Sequence, residues 1–295
     1  MKSSRRDFLR LSAISGTTIC LRPFKTFNII SEAGKFLEKI GISTTITNNK
    51  ILEAAGYSFV EEYVRGFLVP NESESVFEQK LALLKTSKLP IEACNSFLPG
   101  DLKCVGPSPA FEEIIKFGET SFRRAKLAGI KTIVFGSGGA RSIPEGFSAE
   151  EAKNQFVSLC KQLATAAKKY NVVISLEPLN TRECNFINSL IEGAEIVQAV
   201  NHENFRLLAD IYHMLMENES PSNILKYGDL IYHTHIAEKT GRSAPGVHNE
   251  DFIPYFRALK QANYKGRMTI ECSWNNLEEQ ARGALSAMRS QIDSV

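Results

Sequence analysis

No run of about 18 apolar residues occurs in the sequence, so nothing in it reads as a transmembrane helix. No block of clustered Lys and Arg occurs either. The 35 basic side chains are dispersed among 33 acidic ones, for a net charge of +2. That argues against a nucleic-acid partner, which demands a basic stripe or patch. There is no C-x-x-C pair. The six cysteines, Cys20, Cys94, Cys104, Cys160, Cys184 and Cys272, are scattered, which excludes a zinc ribbon and a dense disulfide framework. They read as small buried hydrophobes. Nucleotide and hydrolase signatures are missing too. The G-S-G-G stretch at 136–139 is neither a P-loop nor a dinucleotide fingerprint, and no G-x-S-x-G elbow is present.

What is present suits a soluble globular chain: 295 residues, 43% hydrophobic and 23% charged. That length accommodates one large α/β barrel or two ordinary domains. The amino-terminal segment stands apart. Ser4-Arg5-Arg6-Asp7-Phe8-Leu9-Arg10 resembles the S-R-R-x-F-L-K signal of twin-arginine export. Residues 1–30 are therefore expected to be an export signal, and the protein periplasmic.

From residue 38 to the end, short β-branched apolar runs alternate with longer amphipathic stretches. Strands are expected at 39–44, 57–61, 90–95, 131–136, 171–177, 205–210, 230–236 and 267–272. Helices are expected at 74–87, 110–128, 148–170, 189–201, 221–227, 252–262 and 276–293, the third opened by the capping box Ser148-Ala-Glu-Glu151. Near-continuous apolar strands indicate a parallel sheet covered by helices. Eight β/α units in one domain, 38–295, predict an α/β fold of the (β/α)8 TIM barrel type. Segments 96–110 and 136–147 are rich in Gly and Pro and follow strand ends, on the side where barrel loops build a site.

The ends of strands five to eight carry a pattern. The fifth run, ISLEP, ends in Glu177. The sixth ends in Asp210, the seventh carries His235, and the eighth ends in Glu271. In a barrel these ends converge on one mouth. Three carboxylates and one imidazole suit Mn²⁺ first, with Mg²⁺, Co²⁺ or Zn²⁺ as alternatives. A cation would also offset the cost of burying the carboxylates. Glu183, His213 and Arg242 follow Glu177, Asp210 and His235 by six, three and seven residues, and are expected around a polar substrate. His233 shares a strand face with His235 and reads as a supporting residue rather than a ligand.

E-P-L-N…E, A-D-x-x-H, H-I-x-E and T-I-E-x-x-W resemble the sugar isomerase/epimerase superfamily of xylose isomerase-like TIM barrels, nearest to its ketose 3-epimerase branch, the tagatose/psicose 3-epimerases. The resemblance implies metal ligation by Glu177, Asp210, His235 and Glu271, and substrate binding by Glu183, His213 and Arg242. The stretch IAEKTGR is one residue longer than the family's G-E-x-x-R run, and Arg182 stands where the family often has an aromatic. The implied reaction is deprotonation next to a carbonyl through an enediolate, with Glu177 and Glu271 as acid and base. The expected partner is a small-molecule sugar or keto-glycoside, and a homo-oligomer is possible. The same site could instead serve a lyase or dehydratase acting on 3-keto-glycosides or keto-inositols. An abasic-site endonuclease would need further histidines, and the first four strand ends supply none.

Overall fold

The computed structural model describes residues 36–295. The segment 1–30, read above as an export signal, lies outside the described residues. Eight strands form a closed parallel barrel in chain order: β1 (Ile40–Ser43), β2 (Phe59–Tyr63), β3 (Ile91–Asn95), β4 (Thr132–Phe135), β5 (Val173–Leu176), β6 (Phe205–Asp210), β7 (Ile231–Ile236) and β8 (Met268–Ile270). β8 closes on β1 through Ile40↔Met268, Gly41↔Thr269 and Ile42↔Ile270. Every residue of β1, β4 and β8 is buried. A strand covered on one face by helices and on the other by the barrel interior has no solvent side, which is why these runs lack polar alternation.

Helices surround the barrel: α1 (Asn49–Ala55), α2 (Glu74–Leu83), α3 (Phe111–Ala128), α4 (Gly138–Arg141), α5 (Ala149–Lys168), α6 (Leu190–Val200), α7 (Ile211–Met216), α8 (Ser222–Tyr227), α9 (Ile253–Gln261) and α10 (Leu277–Ile292). The Ser148 hydroxyl caps α5 by accepting from the Glu151 amide. Phe156, Leu159, Cys160 and Leu163 then face the sheet, at the three- and four-residue spacing of a helix stripe. Phe135 of β4 meets Phe156 of α5 and Phe97 beyond β3, each at 5.4 Å between ring centroids. Each such buried ring contributes roughly 1.5–3 kcal/mol relative to exposure.

The eight expected strands are all found. Glu177 and Glu271, expected as last strand residues, each follow their strand by one position. Three short helices, α1, α4 and α7, were not expected. The segment 136–147, read as loop, contains α4. Cys94, Cys104, Cys160 and Cys184 are buried, Cys272 is half-buried, and all five are free thiols. Among the described residues no helix is long and apolar enough to cross a membrane.

The amino-terminal end of the barrel is stitched by charge. Glu92 of β3 takes Lys39 Nζ at 3.0 Å and Arg267 Nη1 at 2.6 Å, and Arg267 Nη2 donates to Thr132 Oγ1 at 2.8 Å. A cavity of about 520 Å³ opens beside them, lined in part by Lys39, Tyr232, Tyr264 and Arg267. Of the charges beside it, Lys39, Glu92 and Arg267 already pair with one another. Barrel chemistry belongs at the opposite, carboxyl end.

Candidate functional site

At the carboxyl end, Asp210 is the last residue of β6 and lies in register with His235 of β7. Glu177 and Glu271 leave β5 and β8 one residue beyond their last paired positions. One ligand atom from each of Glu177, Asp210, His235 and Glu271 falls within 4.8 Å of the others. His235 Nδ1 is the centre of the set, 2.9 Å from Glu177 Oε1 and 3.4 Å from Glu271 Oε2. Asp210 uses Oδ1 to cap α7, accepting from the Tyr212 amide at 2.7 Å, while its buried Oδ2 has no hydrogen-bond partner. Gly136 makes room on the remaining side: a Cβ there would stand 2.3 Å from Glu177 Oε2. Arg141, itself wholly buried, donates Nη2 to the Glu177 carbonyl at 2.9 Å and fixes the backbone behind the carboxylate.

The donor set fits a hard divalent cation. Three carboxylates sharing one small buried space repel one another unless a positive charge sits among them. Three oxygens and one nitrogen match Mn²⁺, Mg²⁺, Co²⁺ or Zn²⁺. The unpartnered Asp210 Oδ2 and the space left by Gly136 are the features such an ion needs.

The protein's own charges treat the two glutamates differently. Burial, with Glu271 next in weight, pushes the Glu177 carboxyl above its ordinary range. Burial acts on Glu271 in the same direction, but His235 and the Arg242 guanidinium outweigh it and bring that carboxyl down to about 2. Arg242 Nη2 pairs directly with Glu271 Oε2, and Asn95 Nδ2 donates to Glu271 Oε1 at 2.6 Å. Burial disfavours a charged His235, yet Glu61 and Glu271 dominate and hold its imidazole well above the usual histidine range.

Glu183, His213 and Arg242 line the same mouth. Arg242 Nη1 lies 3.4 Å from Glu183 Oε1, Nη2 lies 3.9 Å from Asp210 Oδ2, and the guanidinium covers the Tyr212 ring at 4.6 Å. The extra residue in the loop after β7 is absorbed by a tight turn in which Gly241 and Arg242 both have positive φ, 68° and 50°. Buried Glu238 anchors that loop by accepting from the Gly246 amide at 2.8 Å and the His248 amide at 2.6 Å.

Three functional positions escaped the sequence reading. Asn180 is buried and donates its backbone N–H to His213 Nδ1 at 3.1 Å. Its Nδ2 lies 2.8 Å from the same nitrogen and donates to Glu183 Oε1 at 2.9 Å. Two donors on Nδ1 leave the His213 hydrogen on Nε2, which is buried, unpartnered and 3.5 Å from Asp210 Oδ2. Asn95 holds Glu271. Glu61, midway along β2, faces both His233 and His235. Asn95 and Glu61 each end a run read as a strand, the same signal that marked Glu177. Arg182 is exposed at the rim, its amide donating to Asn180 Oδ1 at 3.1 Å.

Comparison with known proteins agrees with this architecture. The family model of the xylose isomerase-like TIM barrel matches residues 50–291. L-ribulose 3-epimerase of Methylomonas sp. (strain DH-1) is 33% identical over 148 residues, 45% of this chain and 51% of that protein. 3-dehydro-D-guloside 4-epimerase of Escherichia coli is 31% identical over 110 residues, 37% of this chain and 42% of that protein. The chain thus spans about half the length, or less, of these curated relatives. The crystal structure of D-psicose 3-epimerase with D-tagatose from Clostridium cellulolyticum H10 superposes with a TM-score of 0.77 at 19% identity, covering 86% of this chain and 99% of that one. A match over residues 50–291 takes in nearly the whole barrel and all four clustered strand-end groups, and on it the chain belongs to the xylose isomerase-like TIM barrel family.

Proposed function

We propose that the protein is a metal-dependent sugar epimerase or isomerase that removes and returns a proton next to a carbonyl. The observation that carries this is the convergence of Glu177, Asp210, His235 and Glu271 at one barrel mouth, with Glu183, His213 and Arg242 beside them. Family membership and the named activities of the epimerase relatives support the reading.

Glu177, Asp210, His235 and Glu271 would hold the cation, Mn²⁺ first among the candidates. When bound, such an ion draws charge from a substrate carbonyl and the neighbouring hydroxyl and so acidifies the C–H bond between them. The side chains divide the remaining work. Glu177 and Glu271 exchange the proton, one taking it and the other returning it from the opposite face, which inverts the carbon. Their environments already separate their proton affinities, the arrangement expected of an acid and a base built from the same residue type. His213, with its hydrogen on Nε2, donates to a substrate oxygen. Glu183 and Arg242 hold hydroxyl groups, and Arg242 also keeps Glu271 ionised. Arg182 at the rim tunes which sugar enters.

A panel of ketoses and 3-keto-glycosides, incubated with purified protein and Mn²⁺ and followed by NMR, tests the proposal. An epimer that forms with metal and disappears with a chelator supports it. A released aglycone or unsaturated keto sugar assigns a lyase outcome to the same site. No turnover of any member of the panel contradicts both. We further propose that the protein works in the periplasm. Unchanged export after Arg5→Lys/Arg6→Lys substitution would contradict that.

A further inference from the structure

Glu61 touches none of the groups assigned to sugar, yet its carboxylate is wholly buried midway along β2. The register of β2 against β3 shifts between Val60 and Glu61, an irregularity of the kind that re-aims a side chain near a barrel rim. Three neighbours converge on it. Oε2 lies 2.7 Å from His233 Nε2 and accepts from Thr269 Oγ1 at 2.7 Å. Oε1 lies 2.9 Å from His235 Nε2, an ion-pair contact in which neither atom makes a hydrogen bond. The two imidazoles stand 5.1 Å apart, their planes at 82°. Thr269 is the residue in register with His235 across β7 and β8, so the whole arrangement is fixed by strand pairing.

A neutral imidazole has one donor nitrogen and one acceptor nitrogen. A carboxylate only accepts, so the nitrogen it faces keeps the hydrogen and the other keeps its lone pair. His235 has Glu61 on Nε2 and the Glu177–Asp210–Glu271 group on the side of Nδ1. We propose that Glu61 is a positioning residue, which fixes the His235 tautomer and ring angle so that Nδ1 serves as the nitrogen ligand of a divalent cation. The proposal rests on the reading of the four strand-end residues as a metal centre. Glu61, His233 and His235 also lie close enough to hold an ion of their own. That arrangement would strip Nε2 of its hydrogen and compete with the bonds that Glu61 Oε2 already makes with His233 and Thr269.

Two measurements test this. Calorimetric titration with Mn²⁺ should show one equivalent bound by the wild-type protein. Glu61→Gln should bind the same single equivalent with affinity lowered about 10- to 100-fold, and Glu61→Asp should recover part of the loss. In ¹⁵N-histidine-labelled, Zn²⁺-loaded wild-type protein, the His235 hydrogen should sit on Nε2. Wild-type uptake with an unaltered Glu61→Gln affinity overturns this proposal alone, as do two Mn²⁺ equivalents in the wild type or a His235 hydrogen on Nδ1. If Glu61→Gln does not fold, the wild-type stoichiometry and the NMR tautomer decide without it. A wild-type protein that binds no metal overturns the metal-centre reading and this proposal with it.

Discussion

Glu177 and Glu271 reach the same nitrogen, His235 Nδ1, from two strands, at 2.9 Å and 3.4 Å, yet their surroundings separate their proton affinities. Glu271 has Arg242 and Asn95 on its oxygens, whereas burial and then Glu271 push Glu177 up, with His235 the main offset. A pair of this kind behaves as two different reagents. Glu177→Gln and Glu271→Gln should each lower kcat by about 10²–10⁴-fold, measured at saturating Mn²⁺ with metal content checked in parallel. A variant with full metal and near-normal kcat would remove that residue from the proton transfer.

Asn180 controls His213 rather than the substrate directly. Asn180→Ala keeps the fold but frees His213 Nδ1 from its side-chain donor and releases Glu183. The loss of one buried hydrogen-bonding group, about 1–3 kcal/mol, corresponds to roughly a 5- to 150-fold fall in kcat/KM. Steady-state kinetics on the preferred sugar, with circular dichroism as the folding control, measures it. No change in kcat/KM would separate His213 from substrate binding.

Gly136 is constrained by the site and not by its own backbone. A methyl group there collides with Glu177 Oε2 and must displace the carboxylate. Gly136→Ala should therefore weaken Mn²⁺ binding at least about 10-fold, as loss of ligand positioning typically does, while thermal stability changes little. Calorimetry and a melting curve on the same sample separate the two effects. An intact affinity would show that Glu177 Oε2 has no ligand role.

Much of this arrangement was legible before any coordinates. Eight apolar runs implied the barrel, because a strand buried on both faces cannot alternate. Glu177, Asp210, His235 and Glu271 stood out because each breaks such a run at its carboxyl end. Glu61 and Asn95 end their runs the same way and were passed over. What marks them is contact with residues 172 and 176 positions distant, His233 and Glu271, which no local pattern reveals. Asn180 lay inside the quoted E-P-L-N motif, but its role depends on a histidine 33 residues away. The short helices α1, α4 and α7 were missed for a related reason. A helix of seven residues or fewer takes its stability from packing, not from its own periodicity. The offset of Arg242 was visible in the sequence, whereas the left-handed turn that returns it to the mouth was not.

The charged seam at the amino-terminal end makes a separate prediction about stability. Burial opposes ionisation of Glu92, but Lys39 and Arg267 outweigh it and hold the carboxyl below its usual range. A carboxyl depressed in the folded state adds stability above its unfolded pKa, about 4.3, and loses it as pH falls through the lower folded value. Glu92→Gln should lower Tm by about 2–4 °C at pH 7, the equivalent of about 1 kcal/mol. The gap between wild type and variant should shrink as pH drops below about 4.3. A gap that is constant with pH, or absent at pH 7, would show that the seam is not stabilising.

The central claim, metal-dependent proton removal next to a carbonyl, is tested most directly in deuterated water. The Mn²⁺-loaded protein is incubated with each ketose and 3-keto-glycoside, and the recovered sugars are analysed by mass spectrometry and NMR. The prediction is a product carrying deuterium at the carbon beside the carbonyl, inverted there for an epimerase, with no incorporation after chelation or in Glu177→Gln. An epimer formed without deuterium at that carbon, or full incorporation in the absence of metal, would contradict it.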